Sequence, residues 1–231
     1  VGSEHVRQGL IRRGIPDSRV TVTGIPIRPA FLSELNRSQI RANLGLTDAL
    51  PTLLIMAGAY GVTADITHIC EGLFQSSVRA QIIVVCGRNE KLRTQVEEIA
   101  ARATNPVLVY GYSTVMHELM AISNLIITKA GGLTVSEALA MELPMIVYRP
   151  IPGQEVQNAI FLVKSRVAVL ARSRQDVVTQ AERLLSEGQR LARMRAATNT
   201  IRKATAAADI AEQLLQIDVL PAVRPREQSG A

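Results

Sequence analysis

The residues best suited to chemistry form one short run, KAGGLTVSEAL at 129–139, directly after an apolar stretch at 125–128. Gly131 and Gly132 carry no side chain, so a ligand can approach the backbone closely there. Thr134 and Glu137 fall where a helix is predicted to begin. One reading is a capping box, in which Thr134 caps the helix, Glu137 reaches back to it, and no ligand is needed. The other is a phosphate site, made by a strand, a glycine pair and a helix N-terminus at the carboxyl edge of a parallel sheet. The run alone leaves both open.

A second junction of the same kind follows at 150–159, PIPGQEVQNA. Two prolines and a glycine place Gln154 and Glu155 at a helix start, and Asn158 one turn later on the face of Gln154. Glu155 is favoured there by the helix dipole whatever the site does. Amide and carboxylate groups gathered at one loop also suit the hydroxyls of a sugar. Earlier in the chain, MAGAYGV at 56–62 offers only Gly58 and Gly61. It is neither GxGxxG nor a P-loop, which sets aside nicotinamide chemistry and P-loop hydrolysis. Arg88, in the loop after the next apolar run, adds a guanidinium at the same edge, with an ordinary exposed arginine as the alternative. His5, His68 and His117 have no partners at metal-ligand or triad spacing. No metal site is expected, and no catalytic residue is assigned.

The elements that must position these residues are legible as alternation. Short β-branched runs at 52–57, 81–86, 107–110, 125–128 and 145–148, with a weaker one at 167–170, alternate with helical patterns at about 64–77, 90–103, 115–122, 134–141 and 155–164. That order predicts βαβ units and a Rossmann-like, doubly wound parallel sheet of the α/β class. Ahead of it the pattern predicts a helix at 4–13, a short strand at 20–22 and a proline-rich connector at 24–29. Behind it comes helix only, from about 175 to 216. The chain thus divides into residues 1–19, a Rossmann-like domain at 20–171, C-terminal helices at 172–218 and a flexible tail at 219–231.

Composition narrows the ligands. Of 231 residues, 47% are hydrophobic and 20% charged, as in an ordinary globular protein, while aromatics are only 3% and Trp is absent. Aromatic stacking is therefore not the main recognition device, which argues against single-stranded nucleic acid. A net charge of +6 favours anionic partners in general. The cluster of Arg183, Arg190, Arg193, Arg195, Arg202 and Lys203 reads as a solvated helix face. Cys70 and Cys86 read as buried, reduced thiols. No apolar run approaches the roughly 18 residues that a membrane span requires. With neither an initiator Met nor a secretory signal, the chain reads as cytoplasmic and as part of something longer.

These motifs carry a family resemblance. KAGGLTVSEAL followed by PIPGQEVQNA, together with VTGIPIRPAF (22–31), IIVVCGRNEKL (82–92) and ELMAISNLIITKAGG (118–132), resembles the donor domain of glycosyltransferase family 28. The family's diacylglycerol glucosyltransferases and monogalactosyldiacylglycerol synthases are the nearest in pattern, and the likeness covers most of residues 20–171. It implies the C-terminal domain of a GT-B fold, with a UDP-sugar held on this half. By position, Gly131, Gly132 and Thr134 would contact the diphosphate, Glu137 the ribose, and Gln154, Glu155 and Asn158 the sugar. Gly111 and Tyr112 would face the uracil, and Gly58, Gly61 and Arg88 would complete the donor site. The resemblance implies no cofactor. Its partners are a UDP-sugar, diacylglycerol as acceptor, and the inner face of the cell membrane, reached peripherally through an N-terminal acceptor domain of which 1–19 would be a remnant. The reaction implied is inverting transfer of glucose or galactose to the lipid hydroxyl, with this half alone inactive. The alternatives are a UDP-sugar-binding subunit that needs a separate membrane partner, and a GT-B epimerase, for which no acid and base pair stands out beyond Glu137 and Glu155. Ser165 and Arg166 occupy a turn where relatives carry glycine, so a less favourable residue must make it.

Overall fold

In a computed structural model, residues 1–58 and 65–216 are described. The β-branched runs form strands β1 (Thr52–Met56), β2 (Gln81–Val85), β3 (Val107–Tyr110), β4 (Leu125–Thr128), β5 (Met145–Tyr148) and β6 (Ala168–Ala171). All pair in parallel, in the order β3-β2-β1-β4-β5-β6. Strand alternation divides the core between the two faces of this sheet. Leu53, Ile55, Ile82, Val84, Ile127 and Tyr148 point to one side, against α3 (Ile66–Phe74), α4 (Glu90–Ala100) and α8 (Arg174–Ser186). Leu54, Ile83, Ile126, Met145 and Val147 point to the other, against α5 (Met116–Ala121), α6 (Gly132–Ala140) and α7 (Gln154–Lys164). With apolar residues wanted on both faces, the strands read as continuous apolar runs rather than alternating ones.

The chain winds outward from β1 to β3, then returns past β1 to build β4, β5 and β6. Its direction reverses between β1 and β4, whose Leu53–Ile55 and Leu125–Ile127 are paired. In sheets wound this way, the crevice outside the carboxyl ends at that reversal is where ligands bind.

Three local expectations are corrected. Residues 20–22 form no strand, because their neighbourhood spends its backbone bonds on the chain start: the Val1 ammonium donates to the Thr21 carbonyl at 2.7 Å and the Gly24 amide to the Val1 carbonyl at 3.2 Å. The stretch of helix expected from about 175 to 216 is interrupted, forming the C-terminal helices α8, α9 (Gly188–Thr198) and α10 (Ala206–Leu215), with one break at Glu187, whose ψ of 68° is not helical. The last strand lies one residue later than predicted, at Ala168–Ala171, since Arg166 adopts φ 60° and turns the chain before it. That turn uses the left-handed region without glycine, as the sequence required. Helix α1 (Glu4–Ile11) docks on α7, with His5 Nε2 2.9 Å from Gln157 Oε1. Gly61 and the tail at 219–231 lie outside the described residues.

Candidate functional site

Each expected site residue among those described lies at a carboxyl end of the sheet. Gly58, at φ 79°, follows β1; Arg88 follows β2; Gly111 and Tyr112 follow β3. The Arg88 guanidinium sits 5.1 Å from the centroid of the Tyr112 ring, which is 60% exposed. The two side chains that sequence placed separately thus form one exposed cation–π pair at the β2–β3 end of the crevice.

Beyond β4 the structure overturns the capping box. Helix α6 starts at Gly132 with Gly131 as its N-cap and no side-chain cap. Thr134 is therefore the third helical residue and Glu137 the sixth, too far along to reach the first turn's free amides. The helix begins early because a glycine at its first position exposes N–H groups without steric cost. Gly132 also lies close to its neighbours: an added Cβ would come 2.9 Å from Ile25 Cδ1 and 3.4 Å from Gln154 Nε2, so these side-chain ends would have to shift.

Released from capping, Glu137 is 8% exposed and makes no hydrogen bond or ion pair with any described residue. Burial pushes its carboxyl above the ordinary carboxylate range, opposed by the field of Arg28. Glu137 is thus a largely buried residue whose carboxylate still reaches solvent and has no partner among the described residues. Thr134 and the half-buried ammonium of Lys129 likewise lack partners among the described residues. Lys129 and Arg28 are the charges that sequence reasoning passed over, although both lie inside the motifs it singled out.

At the β5–α7 junction the three polar residues divide. Gly153, at φ 98°, turns the chain into α7. Glu155 Oε2 accepts from the Ile151 amide at 2.8 Å, closing its own loop. Asn158 Nδ2 donates to the Ala130 carbonyl at 2.9 Å, tying this junction to the glycine pair. Gln154 is exposed, and its amide is engaged with no described residue. Beneath the two junctions lies a cavity of about 520 Å³ that Gly132, Gln154 and Asn158 share with Ile25, Val135 and Lys203. Among the described residues, no group of His, Cys, Asp or Glu could hold a metal ion.

Comparison with known proteins identifies the family and the fold. Residues 52–214 match the glycosyltransferase family 28 C-terminal domain. The chain is 35% identical over 215 residues to a processive diacylglycerol beta-glucosyltransferase of Bacillus mycoides, covering 93% of this chain and 55% of that protein. It thus spans about half the length of the curated relatives it matches. Among solved structures, MurG of Acinetobacter baumannii superposes with a TM-score of 0.69 at 21% identity, over 88% of this chain and 58% of MurG. A UDP-GlcNAc 2-epimerase of Neisseria meningitidis, bound to UDP-GlcNAc, superposes with a TM-score of 0.68 at 18% identity, over 92% of this chain and 59% of the epimerase. At those identities the likeness speaks for the fold, the Rossmann-like half of GT-B proteins.

Proposed function

Because this chain belongs to glycosyltransferase family 28 through its C-terminal domain, we propose that it is the donor-binding half of an inverting hexosyltransferase, taking glucose from UDP-glucose to diacylglycerol. The observation that carries the reading is Glu137, a largely buried glutamate whose carboxylate has no partner among the described residues, on the helix that follows β4 at the reversal point of the sheet. A ribose supplies what it lacks, two hydroxyls that donate to one carboxylate. The free amides at the start of α6, the Thr134 hydroxyl and the Lys129 ammonium lie beside it and suit a diphosphate. Gly111 and the Tyr112–Arg88 pair lie toward β3, where a uracil would stack. Gln154 is the free group for the hexose, with Asn158 and Glu155 holding the loops that present it.

In this reading the half-site acts on the leaving group. Charge that builds on the diphosphate as the anomeric bond breaks is met by dipoles and cations already in place, which is the favourable kind of electrostatic catalysis. Glucose rather than galactose is proposed because the relatives that match are named as glucosyltransferases. No described helix is long and apolar enough to cross a membrane; we place the enzyme peripherally at the inner face of the cell membrane, where diacylglycerol resides. In this reading residues 20–171 are the nucleotide unit, flanked by 1–19 and 172–218, of which 217 and 218 lie outside the described residues.

Calorimetric titration with UDP, UDP-glucose and UDP-galactose tests the proposal. Expected is binding of UDP, a further increment for UDP-glucose, and a smaller one for UDP-galactose. Failure to bind UDP at all would remove the donor assignment.

A further inference from the structure

Asp65 stands at the N-cap of α3, where an aspartate ordinarily accepts from its own helix's first amides, an interaction worth about 1 kcal/mol. Here it makes no such bond. Its carboxylate turns instead to the far side of β4: Oδ2 accepts from the Tyr148 hydroxyl at 2.7 Å and pairs with Arg149 Nη1 at 2.9 Å. The Asp65 side chain is only 14% exposed, whereas that of Arg149 is 60% exposed, so the carboxylate is sheltered and the guanidinium reaches it from the surface. Arg149 closes over the Tyr148 ring at 5.6 Å.

The residue so held is a costly one. Arg149 has φ 47°, a region that side-chain-bearing residues rarely adopt, and it precedes Pro150, which narrows its options further. Such a conformation persists only when its surroundings over-determine it, and it recurs at ligand sites. Two residues on, the Ile151 amide is fixed by Glu155. The loop from Arg149 to Gly153 is thus pinned at both ends before it delivers Gln154. Because β1, β4 and β5 are neighbours, the Asp65–Arg149 bond links the segment after β1 to the residue after β5 across β4.

We infer that Asp65 is a positioning residue for the hexose: through Arg149 it holds the β5–α7 loop in the one conformation that aims Gln154 at the sugar. The inference rests on the hexose assignment above. Helices and strands hold a site more accurately than loops do, and here a loop acquires that accuracy from a carboxylate on another element.

Two measurements on Asp65→Asn, Asp65→Ala and Arg149→Ala test it. The first is hydrogen exchange of the 149–155 backbone without ligand, which is expected to quicken in all three. The second is the ratio of UDP-glucose to UDP affinity by calorimetry. That ratio is expected to fall about tenfold in both alanine variants, while affinity for UDP stays within about twofold. Asp65→Asn keeps an acceptor for Tyr148 and should lose less, and Arg149→Lys should restore part of the ratio. A merely structural clip would lower the melting temperature and leave the ratio alone. Unchanged loop exchange, or quickened exchange with an unchanged ratio, overturns the inference. A wild-type chain that binds UDP-glucose no better than UDP overturns the hexose assignment first, and is told apart because it needs no variant.

Discussion

Replacing Glu137 with Gln should make the protein more stable and a worse nucleotide binder. Glu137 is 8% exposed, without a described partner, and its carboxyl is raised by burial against the opposing field of Arg28. A group raised on folding stabilises in its protonated form. That contribution is complete below the unfolded-state value and is lost as pH rises through the folded one. Near neutral pH the wild-type chain therefore carries an ionised, poorly solvated group that the amide removes. The relief should be about 1 kcal/mol, the low end for an unsatisfied buried polar group, since the carboxylate oxygens still reach solvent. For a domain of this size that corresponds to a rise in Tm of about 2–4 °C. On acidification into the ordinary carboxylate range the two proteins should converge, because both then carry a neutral group. Affinity for UDP should move the other way. A carboxylate accepting from ribose hydroxyls is worth roughly 1.5–3 kcal/mol, or about ten- to a hundredfold in Kd. Thermal melts from pH 4 to 8 and UDP titrations on both proteins read the two effects independently. A variant that melts lower at neutral pH and binds UDP as before would refute the reasoning, since Glu137 would then be a structural group with a partner.

Gln154→Ala should weaken UDP-glucose but leave UDP and the melting temperature unchanged, as measured by paired titrations and melts. Glu155→Ala should weaken UDP-glucose and also loosen its loop, since it frees the Ile151 amide. Tyr112→Ala should weaken UDP by ~0.5–1.5 kcal/mol, the range for a lost ring contact, with no change in the increment that the sugar adds. Neither cysteine should be alkylated in the folded chain at pH 8. Burial raises Cys86 to about 11 and Cys70 further still, so mass shifts from iodoacetamide should appear only on unfolding.

Strand positions were legible because both faces of the sheet are covered, so every central position demands an apolar, mostly β-branched residue and the runs stand out unbroken. The glycine pair and its neighbours were legible as a site, but the start of α6 was not. A threonine followed three residues later by glutamate is a strong capping pattern, yet α6 begins two residues before that threonine, at Gly132, with Gly131 as its N-cap and no side-chain cap. The strand expected at 20–22 does not form: among the described residues it pairs with no strand of the sheet, and only Val20 of the three is buried. Least legible were the links between junctions. Asn158 reaches a carbonyl 28 residues away and Asp65 a hydroxyl 83 residues away, and periodicity carries no trace of either.

Those links separate the polar residues at the carboxyl edge into two physical classes. Asn158, Glu155 and Asp65 are engaged with the protein; Glu137, Thr134, Gln154 and Lys129 have no partner among the described residues. Truncating an engaged group breaks a bond that the folded chain already makes, so stability and affinity should fall together. Truncating an unengaged one removes nothing the empty fold uses, so affinity should fall while stability holds or, for the buried Glu137, rises. Alanine variants of all seven, plotted as change in Tm against change in affinity for UDP-glucose, should therefore fall on two lines of different slope. A single line through all of them would mean that the free groups also serve the fold, and that the edge of the sheet is not divided between holding and binding.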